Sequence, residues 1–229
     1  MESLTRDVAS LGVSLVYCGV VVSAGEIIRK RRGYGGEFTR KLVHISIGLW
    51  IIPTLFLFTK WYWAAALPAL AIVSNTLSMK FNLLRGIERP DKNDFGTIFF
   101  PASFVICLWA FFHTDFPVAA AAGIISMALG DAAAAIYGKA RGKHPYTFLG
   151  AKKSYEGSAA MLIVSLAALF LTLLLFGVPL GSAVIVSLVI APVATLLEAA
   201  GKNGLDNLTV PVACSFLTWL LLTVMEGHA

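Results

Sequence analysis

The feature that most constrains this chain is the recurrence of apolar runs long enough to cross a lipid bilayer as helices. A hydrocarbon core about 30 Å thick needs a helix of about 17–25 mostly apolar residues. Eight runs meet this requirement, at 8–28, 42–58, 61–79, 97–113, 117–137, 157–176, 181–197 and 208–225. We therefore predict an all-α fold, a polytopic membrane bundle of about eight transmembrane helices that forms a single domain over residues 1–229.

The composition excludes the main soluble classes. Of 229 residues, 58% are hydrophobic and 14% are charged, and the mean hydropathy of +0.79 exceeds what a soluble domain of this size buries. The net charge of +5 does not indicate a nucleic-acid partner, because the basic residues lie between the apolar runs, where they contact lipid headgroups. Cys18, Cys107 and Cys214 lie inside predicted spans without metal-ligand spacing, which is typical of packing residues.

The distribution of Lys and Arg predicts the orientation. Of the 18 basic residues, 16 lie in the connections after runs one, three, five and seven, and only Arg6 and Lys60 lie on the other side. Cytoplasmic loops carry this excess, so we expect both termini on the non-cytoplasmic side of a cell (inner) membrane. The longer polar stretches then share the cytoplasmic face, where any active site should open: 40–44, 88–97, a cytosolic loop at 129–158 and a second polar loop at 198–211.

Asp131 is the first candidate for chemistry, because it lies near the end of an apolar run. An ionisable group at that depth is costly unless it is paired, metal-bound or hydrated, which makes it a functional candidate by default. A carboxylate that reaches the interface to meet a lysine is the alternative. In a continued helix Asp131, Ala135, Gly138 and Gly142 share one nearly bare face, open to close approach by another helix or by a nucleotide.

Basic residues and a helix start follow those glycines. Ser154 is a good N-cap for the sixth span, and a helix N-terminus beside lysines favours phosphate. Glu156, in the first turn, complements the helix dipole, holds a metal or orients a lysine. The basic residues are Lys139, Arg141, Lys143, Lys152 and Lys153.

The second polar loop adds Glu198 and Asp206 to the same face, next to Asn207. Asp206 or Asn207 could simply cap the last helix. Together with Asp131 and Glu156, however, these carboxylates offer oxygen ligands of the kind that suits Mg²⁺ with substrate phosphates.

The start of the second span contributes Arg40, Lys41 and His44, with Arg40 and His44 on one helical face. Taken singly, the two cations are typical of side chains that reach lipid headgroups. No zinc motif or nucleophile elbow is present in the sequence. Four tryptophans fit either a lipid groove or the interfacial belts: Trp50, Trp61, Trp63 and Trp109.

Several motifs together resemble those of the polyprenol kinase family, which includes phytol and farnesol kinases, dolichol kinase and CTP-dependent diacylglycerol kinase. The central motif is Asp131-x2-Ala134-x3-Gly138-x3-Gly142 followed by Lys152-Lys153-Ser154-x-Glu156-Gly157. The supporting motifs are Arg40-Lys41-x2-His44, Gly96-Thr97 with Pro101, and Glu198 with Asp206-Asn207-x3-Pro211. They occur in the family's order and cover roughly residues 40–211.

The resemblance implies transfer of a phosphoryl group from CTP, or another nucleoside triphosphate, to an isoprenoid alcohol such as phytol, farnesol or a polyprenol. With it we expect catalysis by Asp131, Lys153, Glu156 and Asp206 and Mg²⁺ binding by Asp131, Glu156 and Asp206, and the sequence leaves open which carboxylate is the base and which is a metal ligand. The resemblance assigns nucleotide binding to Gly138, Gly142, Lys143, Lys152, Lys153, Ser154 and Gly157. It assigns supporting roles to Arg40, Lys41, His44, Glu198 and Asn207.

Two other functions compete with this one. CDP-diacylglycerol synthases share a similar core and transfer a cytidylyl group, but their C-terminal signature is not found in this sequence, whose ending is most similar to the phytol kinase branch. A small transporter would need charge along a path through the bilayer, whereas the mid-spans contain almost none. The identity of the alcohol, the choice among CTP, UTP and ATP, and a homo-oligomeric state are open at this level.

Overall fold

A computed structural model describes residues 2–32, 36–81 and 94–227, and within these ranges the chain is a helical bundle. Seven of the helical segments described are long and apolar enough to cross a membrane, and the apolar helix at Gly96–Phe111 is shorter. The predicted all-α membrane bundle is confirmed. The polar stretch at Glu88–Arg89 lies outside the described residues.

The elements follow one another in chain order. They are α1 (Glu2–Arg32), α2 (Gly36–Leu49), α3 (Ile51–Leu57), α4 (Trp61–Ala64), α5 (Ala66–Phe81), α6 (Gly96–Phe111), α7 (Val118–Arg141), β1 (Pro145–Phe148), β2 (Ala151–Ser154), α8 (Tyr155–Leu175), α9 (Leu180–Ala200) and α10 (Asp206–Glu226).

Two predicted spans are each built from two helices. The span predicted at 42–58 is broken at Trp50, between α2 and α3, and the one at 61–79 is broken at Ala65, between α4 and α5. A proline follows each break by three residues, at Pro53 and Pro68. Because proline has no N–H to donate to the carbonyl four residues earlier, each break falls where the helical ladder is interrupted.

Helix α7 is the centre of the bundle, and most of it is buried by α8, α10 and α2. Its small residues let the neighbouring helices approach closely. A Cβ at Gly123 would collide with Ser215 on α10, and one at Gly130 would collide with the side chain of Ser165 on α8. Asp131, the residue after Gly130, is therefore held beside a close contact between α7 and α8.

The stretch predicted as a cytosolic loop at 129–158 is more ordered than a loop. Helix α7 continues to Arg141, and β1 and β2 then form an antiparallel hairpin in which Tyr146 pairs with Lys153. The turn has positive φ at Leu149 (47°) and Gly150 (83°), as two-residue hairpins require. The strands of this hairpin are only four residues long, and the sequence pattern does not predict them.

Candidate active site

Three buried carboxylates from three different helices converge at one end of the bundle. Asp131 comes from α7, Glu198 from α9 and Asp206 from α10, and one oxygen of each lies within 4.8 Å of the other two. Each residue is less than a tenth exposed. We call these three residues the carboxylate cluster. The two polar loops predicted from the sequence thus supply the two halves of one site.

The depth of the cluster follows from the helix ends. Glu198 lies two residues before the end of α9, and Asp206 is the first residue of α10. Helix α7 runs ten residues past Asp131 to Arg141, about 15 Å at 1.5 Å per residue. The end of α7 therefore projects beyond the cluster, together with the hairpin. The position of Asp131 near a membrane boundary stays a prediction.

Two lysines neutralise part of the cluster. Lys41, on α2, forms an ion pair with Asp131, and both side chains are buried. Lys153, on β2, forms an ion pair with Glu198 and lies 3.8 Å from Asp206. Three carboxylates against two ammonium groups leave one net negative charge in a largely buried site. Such a residual charge favours a cation.

One oxygen of the cluster has no hydrogen-bond partner. Glu198 Oε2 is buried and meets no donor among the described residues, although Oε1 of the same carboxylate is paired with Lys153. Buried polar atoms are nearly always satisfied, so an exception points to a missing ligand. A divalent cation such as Mg²⁺, which prefers carboxylate oxygens and substrate phosphates, fits the residues present.

The charge state of Lys153 is set by opposing effects. Burial acts to lower the pKa of its ammonium, but the negative charge of Glu198, with further contributions from Asp206 and Asp131, raises it above its usual value. Lys153 is therefore protonated throughout the physiological range. A charged lysine at this place can neutralise a phosphate oxygen.

The start of α10 fixes Asp206 in place. Asn207 donates through its backbone N–H and through Nδ2 to Asp206 Oδ1, both at 3.1 Å. Nδ2 also contacts the Gly204 carbonyl oxygen at 3.2 Å. Leu205, and neither polar residue, occupies the N-cap position, and no side chain caps it. Asp206 thus points into the cluster, and Asn207 positions it.

The grouping predicted for the metal ligands needs one correction. Glu156 does not join Asp131 and Asp206, because its carboxylate turns to His144, accepting from the backbone N–H at 3.3 Å and contacting Nδ1 at 2.6 Å. Glu198, predicted as a supporting residue, takes its place in the cluster. The hairpin is the cause, since it brings His144 back beside the first turn of α8.

The paired lysines of β2 do not face the same way. Successive side chains of a strand point to opposite faces. Lys153 reaches the cluster, whereas Lys152 is exposed. Lys143 is exposed as well. Of the lysines predicted to hold phosphates, the structure brings only Lys153 to the carboxylates.

The glycine face of α7 is used for helix packing. Cβ atoms added at Gly138 or Gly142 would crowd Ser154 Oγ at 3.2 and 2.9 Å, and Gly138 also lies against Gly157. Ser154 caps α8 as predicted, accepting from the Gly157 N–H at 3.1 Å. Of the alternatives for this face, the structure shows close approach by another helix. The nucleotide role of these glycines stays a prediction.

A long cavity of about 780 Å³ adjoins the cluster. Lys41, His44 and Asn207 line one end, where Lys41 is also the partner of Asp131. The rest of the wall is mainly apolar and comes from α1, α2, α3, α5 and α6, and it reaches Phe58 and Ala64 at the other end. Of the four tryptophans predicted for a lipid groove or for the interfacial belts, Trp50 lines this cavity. No sequence pattern predicted the rest of its lining.

Side chains of α2 and α6 shape the polar end of the cavity. His44 stacks on Phe100 with ring centroids 3.8 Å apart. Arg40 also lines the cavity. Pro101 on α6 cannot donate to the Thr97 carbonyl oxygen, which accepts instead from Asn75 Nδ2 at 2.8 Å. This bond ties α5 to α6 across the cavity wall.

A cluster of buried carboxylates and lysines that meets an apolar cavity inside a helical membrane bundle is the arrangement expected of an enzyme that acts on a lipid substrate. The chain is 32% identical over 213 residues to the phytol kinase of Synechocystis sp., a match that covers 92% of this chain and 90% of that protein. The chain therefore belongs to the phytol kinase family, and its predicted class, a phosphotransferase with an alcohol group as acceptor, is confirmed. No family model and no solved structure matches it.

Proposed function

We propose that this protein transfers the γ-phosphoryl group of a nucleoside triphosphate, CTP by its resemblance to the family, to the hydroxyl of an isoprenoid alcohol. Phytol is the first candidate acceptor, because the similar protein of Synechocystis sp. is a phytol kinase. The observation that supports this proposal most directly is that the carboxylate cluster and the apolar cavity meet at Lys41.

This meeting point suits an amphipathic acceptor. The tail of the alcohol lies in the apolar cavity, and its hydroxyl lies at the end lined by Lys41, His44 and Asn207. The donor reaches the same point from the side where α7 and the hairpin project. Holding the two reactants in line is the largest requirement of phosphoryl transfer.

In the reaction the alcohol oxygen attacks the γ-phosphorus, and the bond from that phosphorus to the leaving diphosphate oxygen breaks. The hydroxyl proton passes to a carboxylate oxygen of the cluster. Lys153, protonated and within reach of two carboxylates, neutralises negative charge on the phosphate oxygens. Lys41 holds Asp131 in its orientation.

Mg²⁺ would be held by Asp131, Glu198 and Asp206, and when bound it supplies neutralisation of the negative charge on the triphosphate. The fit rests on the mutual distances of the three carboxylates and on the unpartnered Glu198 oxygen.

We place this end of the bundle on the cytoplasmic side of the membrane, where nucleoside triphosphates are available. Support comes from the predicted excess of Lys and Arg on one side, 16 of 18, and from the position of Lys41 and Lys153 in the site itself.

The test is a labelling experiment with the purified protein in lipid vesicles. Phytol, farnesol and geranylgeraniol are each offered with CTP, UTP or ATP, labelled at the γ or the α phosphate. Label from the γ position in the lipid product supports the proposal. Label from the α position would instead identify a nucleotidyl transfer, and no labelled lipid with any pair would refute the proposal.

A further inference from the structure

We propose that the cavity is a closed-ended binding site for the tail of the acceptor, and that Phe58 and Ala64 at its far end limit the length of isoprenoid that the enzyme accepts. This inference deepens the proposed function and rests on it for the identity of the ligand. It names a site and specificity residues that the carboxylate cluster does not include.

The cavity runs along the path of α2 and α3. His44, at the polar end, and Phe58, at the far end, are fourteen residues apart along α2 and α3, a separation of at most about 21 Å at 1.5 Å per residue. Trp50 and Thr54 line the wall between them. The breaks near Trp50 and Ala65 lie beside this wall, and Pro68, which follows the second break, lines the cavity.

The far end is closed by well-packed residues. Phe58 and Ala64 are each 5% exposed, and Leu11 on α1 lies in the same wall. Beyond them α1 is fastened to the end of α3, where Arg6 Nε donates to the Leu57 carbonyl oxygen at 2.9 Å. A tail that extends past Phe58 would therefore have to displace packed side chains.

The side of the cavity gives the tail a route from the bilayer. Val22 on α1 and Leu70 on α5 both line the cavity, and they are 40% and 60% exposed on the bundle. Because these two residues are exposed on the bundle and also line the cavity, we infer that an acceptor enters between α1 and α5 with its hydroxyl at the polar end. No passage through the packed core around α7 is needed.

The volume accommodates a tail of several isoprene units. A cavity of about 780 Å³ has room for the tail of phytol or geranylgeraniol, which contain four isoprene units. The limit on length then comes from Phe58 and Ala64 at the far end.

Two substitutions at the far end change the available length in opposite directions. Ala64→Leu fills the end of the cavity, and Phe58→Ala lengthens it. Ala69→Leu and Phe56→Ala are matched controls, because both residues are exposed and neither lines the cavity. Each protein is assayed with farnesol and with geranylgeraniol, and the ratio of the two kcat/KM values is compared within one preparation, which cancels differences in the amount of folded protein.

We expect Ala64→Leu to shift this ratio about tenfold or more toward farnesol, the size of effect that one or two methylene groups have in an apolar pocket. Phe58→Ala shifts it toward geranylgeraniol, and the two controls keep the wild-type ratio. An unchanged ratio in both cavity variants, or an equal shift in the controls, would overturn the proposal.

A binding measurement separates this proposal from the proposed reaction. Geranylgeraniol carrying a diazirine at the end away from the hydroxyl is irradiated with the protein in vesicles, and the adducts are mapped by mass spectrometry. Adducts at Thr54, Phe58 or Ala64 that Ala64→Leu abolishes support the cavity, even in a protein without kinase activity. Adducts confined to lipid-facing residues such as Phe56 and Tyr62 overturn it, even in an active kinase.

Discussion

Buried carboxylates lie at both ends of this bundle, and they are satisfied very differently. At the end opposite the cluster, Asp7 is 1% exposed and accepts from the Thr59 N–H at 2.6 Å and from Thr59 Oγ1 at 2.7 Å. Each of its oxygens thus has a donor. In the carboxylate cluster, three acidic groups face one another, and Glu198 Oε2 has no donor among the described residues.

The difference shows that burial alone does not identify a functional carboxylate. Asp7 joins α1 to the chain after α3, and hydrogen bonds between the same two residues account for both of its oxygens. Without Lys41 and Lys153 the three carboxylates of the cluster would repel one another, and with both lysines present the cluster still has a net negative charge. A carboxylate oxygen that is buried beside two other carboxylates and meets no donor in the described part of the chain is a candidate cation ligand.

The largest expected effect is that of Asp131→Asn. The amide keeps the size of the side chain but removes the charge that pairs with Lys41 and binds a cation, so we expect kcat to fall about a thousandfold or more. Phosphorylated lipid is measured in membranes that contain equal amounts of the protein.

The same change at the other end, Asp7→Asn, is the matched control. Its amide can still accept from the Thr59 N–H and can donate to Thr59 Oγ1, so activity should be retained. Normal turnover by the Asp131→Asn protein would refute the role of Asp131 and would make the two ends equivalent.

The sequence predicted the residues of the site better than their arrangement. Asp131 was identified because a charge near the end of an apolar run is costly, and Glu198 and Asp206 because their loop faces the same side. Neither argument depends on how the helices pack. The fold class followed with equal directness from the lengths of the apolar runs.

The errors arose where short-range geometry decides. Strand alternation separates Lys152 from Lys153, and the hairpin turns Glu156 toward His144, but strands of four residues carry too weak a pattern to be recognised beforehand. The cavity depends on contacts between distant helices. A usable signal did exist for the breaks that border it, since Pro53 and Pro68 each lie within a predicted span.

Metal removal tests the unsatisfied oxygen of Glu198. We expect a chelator to abolish activity and Mg²⁺ to restore it. Glu198→Gln should weaken metal affinity by at least about 10–100-fold, because that is the loss seen when a residue that only supports a metal ligand is removed. Mn²⁺ binding followed by electron paramagnetic resonance measures affinity without turnover. Full activity in chelator, or equal Mn²⁺ affinity in both proteins, would contradict a metal site at the cluster.

A smaller effect separates the two lysines of β2. Lys153→Met removes a charged partner of Glu198 and of the phosphates, and we expect a loss of about 10–100-fold in kcat/KM for the nucleotide. Lys152→Met removes an exposed charge and should stay within about fivefold. Equal losses in the two variants would contradict the arrangement in which Lys152 and Lys153 lie on opposite faces of β2.

The smallest effect on activity, and a clear one on stability, is expected for Asp7→Ala. This change leaves the Thr59 N–H and hydroxyl without their acceptor, which costs about 1–3 kcal/mol in the free energy of unfolding. The midpoint of thermal unfolding in detergent measures the loss, and Asp7→Asn should recover most of it. An amide that rescues position 7 but not position 131 would show that hydrogen bonding suffices at one end and that charge is required at the other. If Asp7→Asn does not recover the stability lost in Asp7→Ala, position 7 also requires a negative charge.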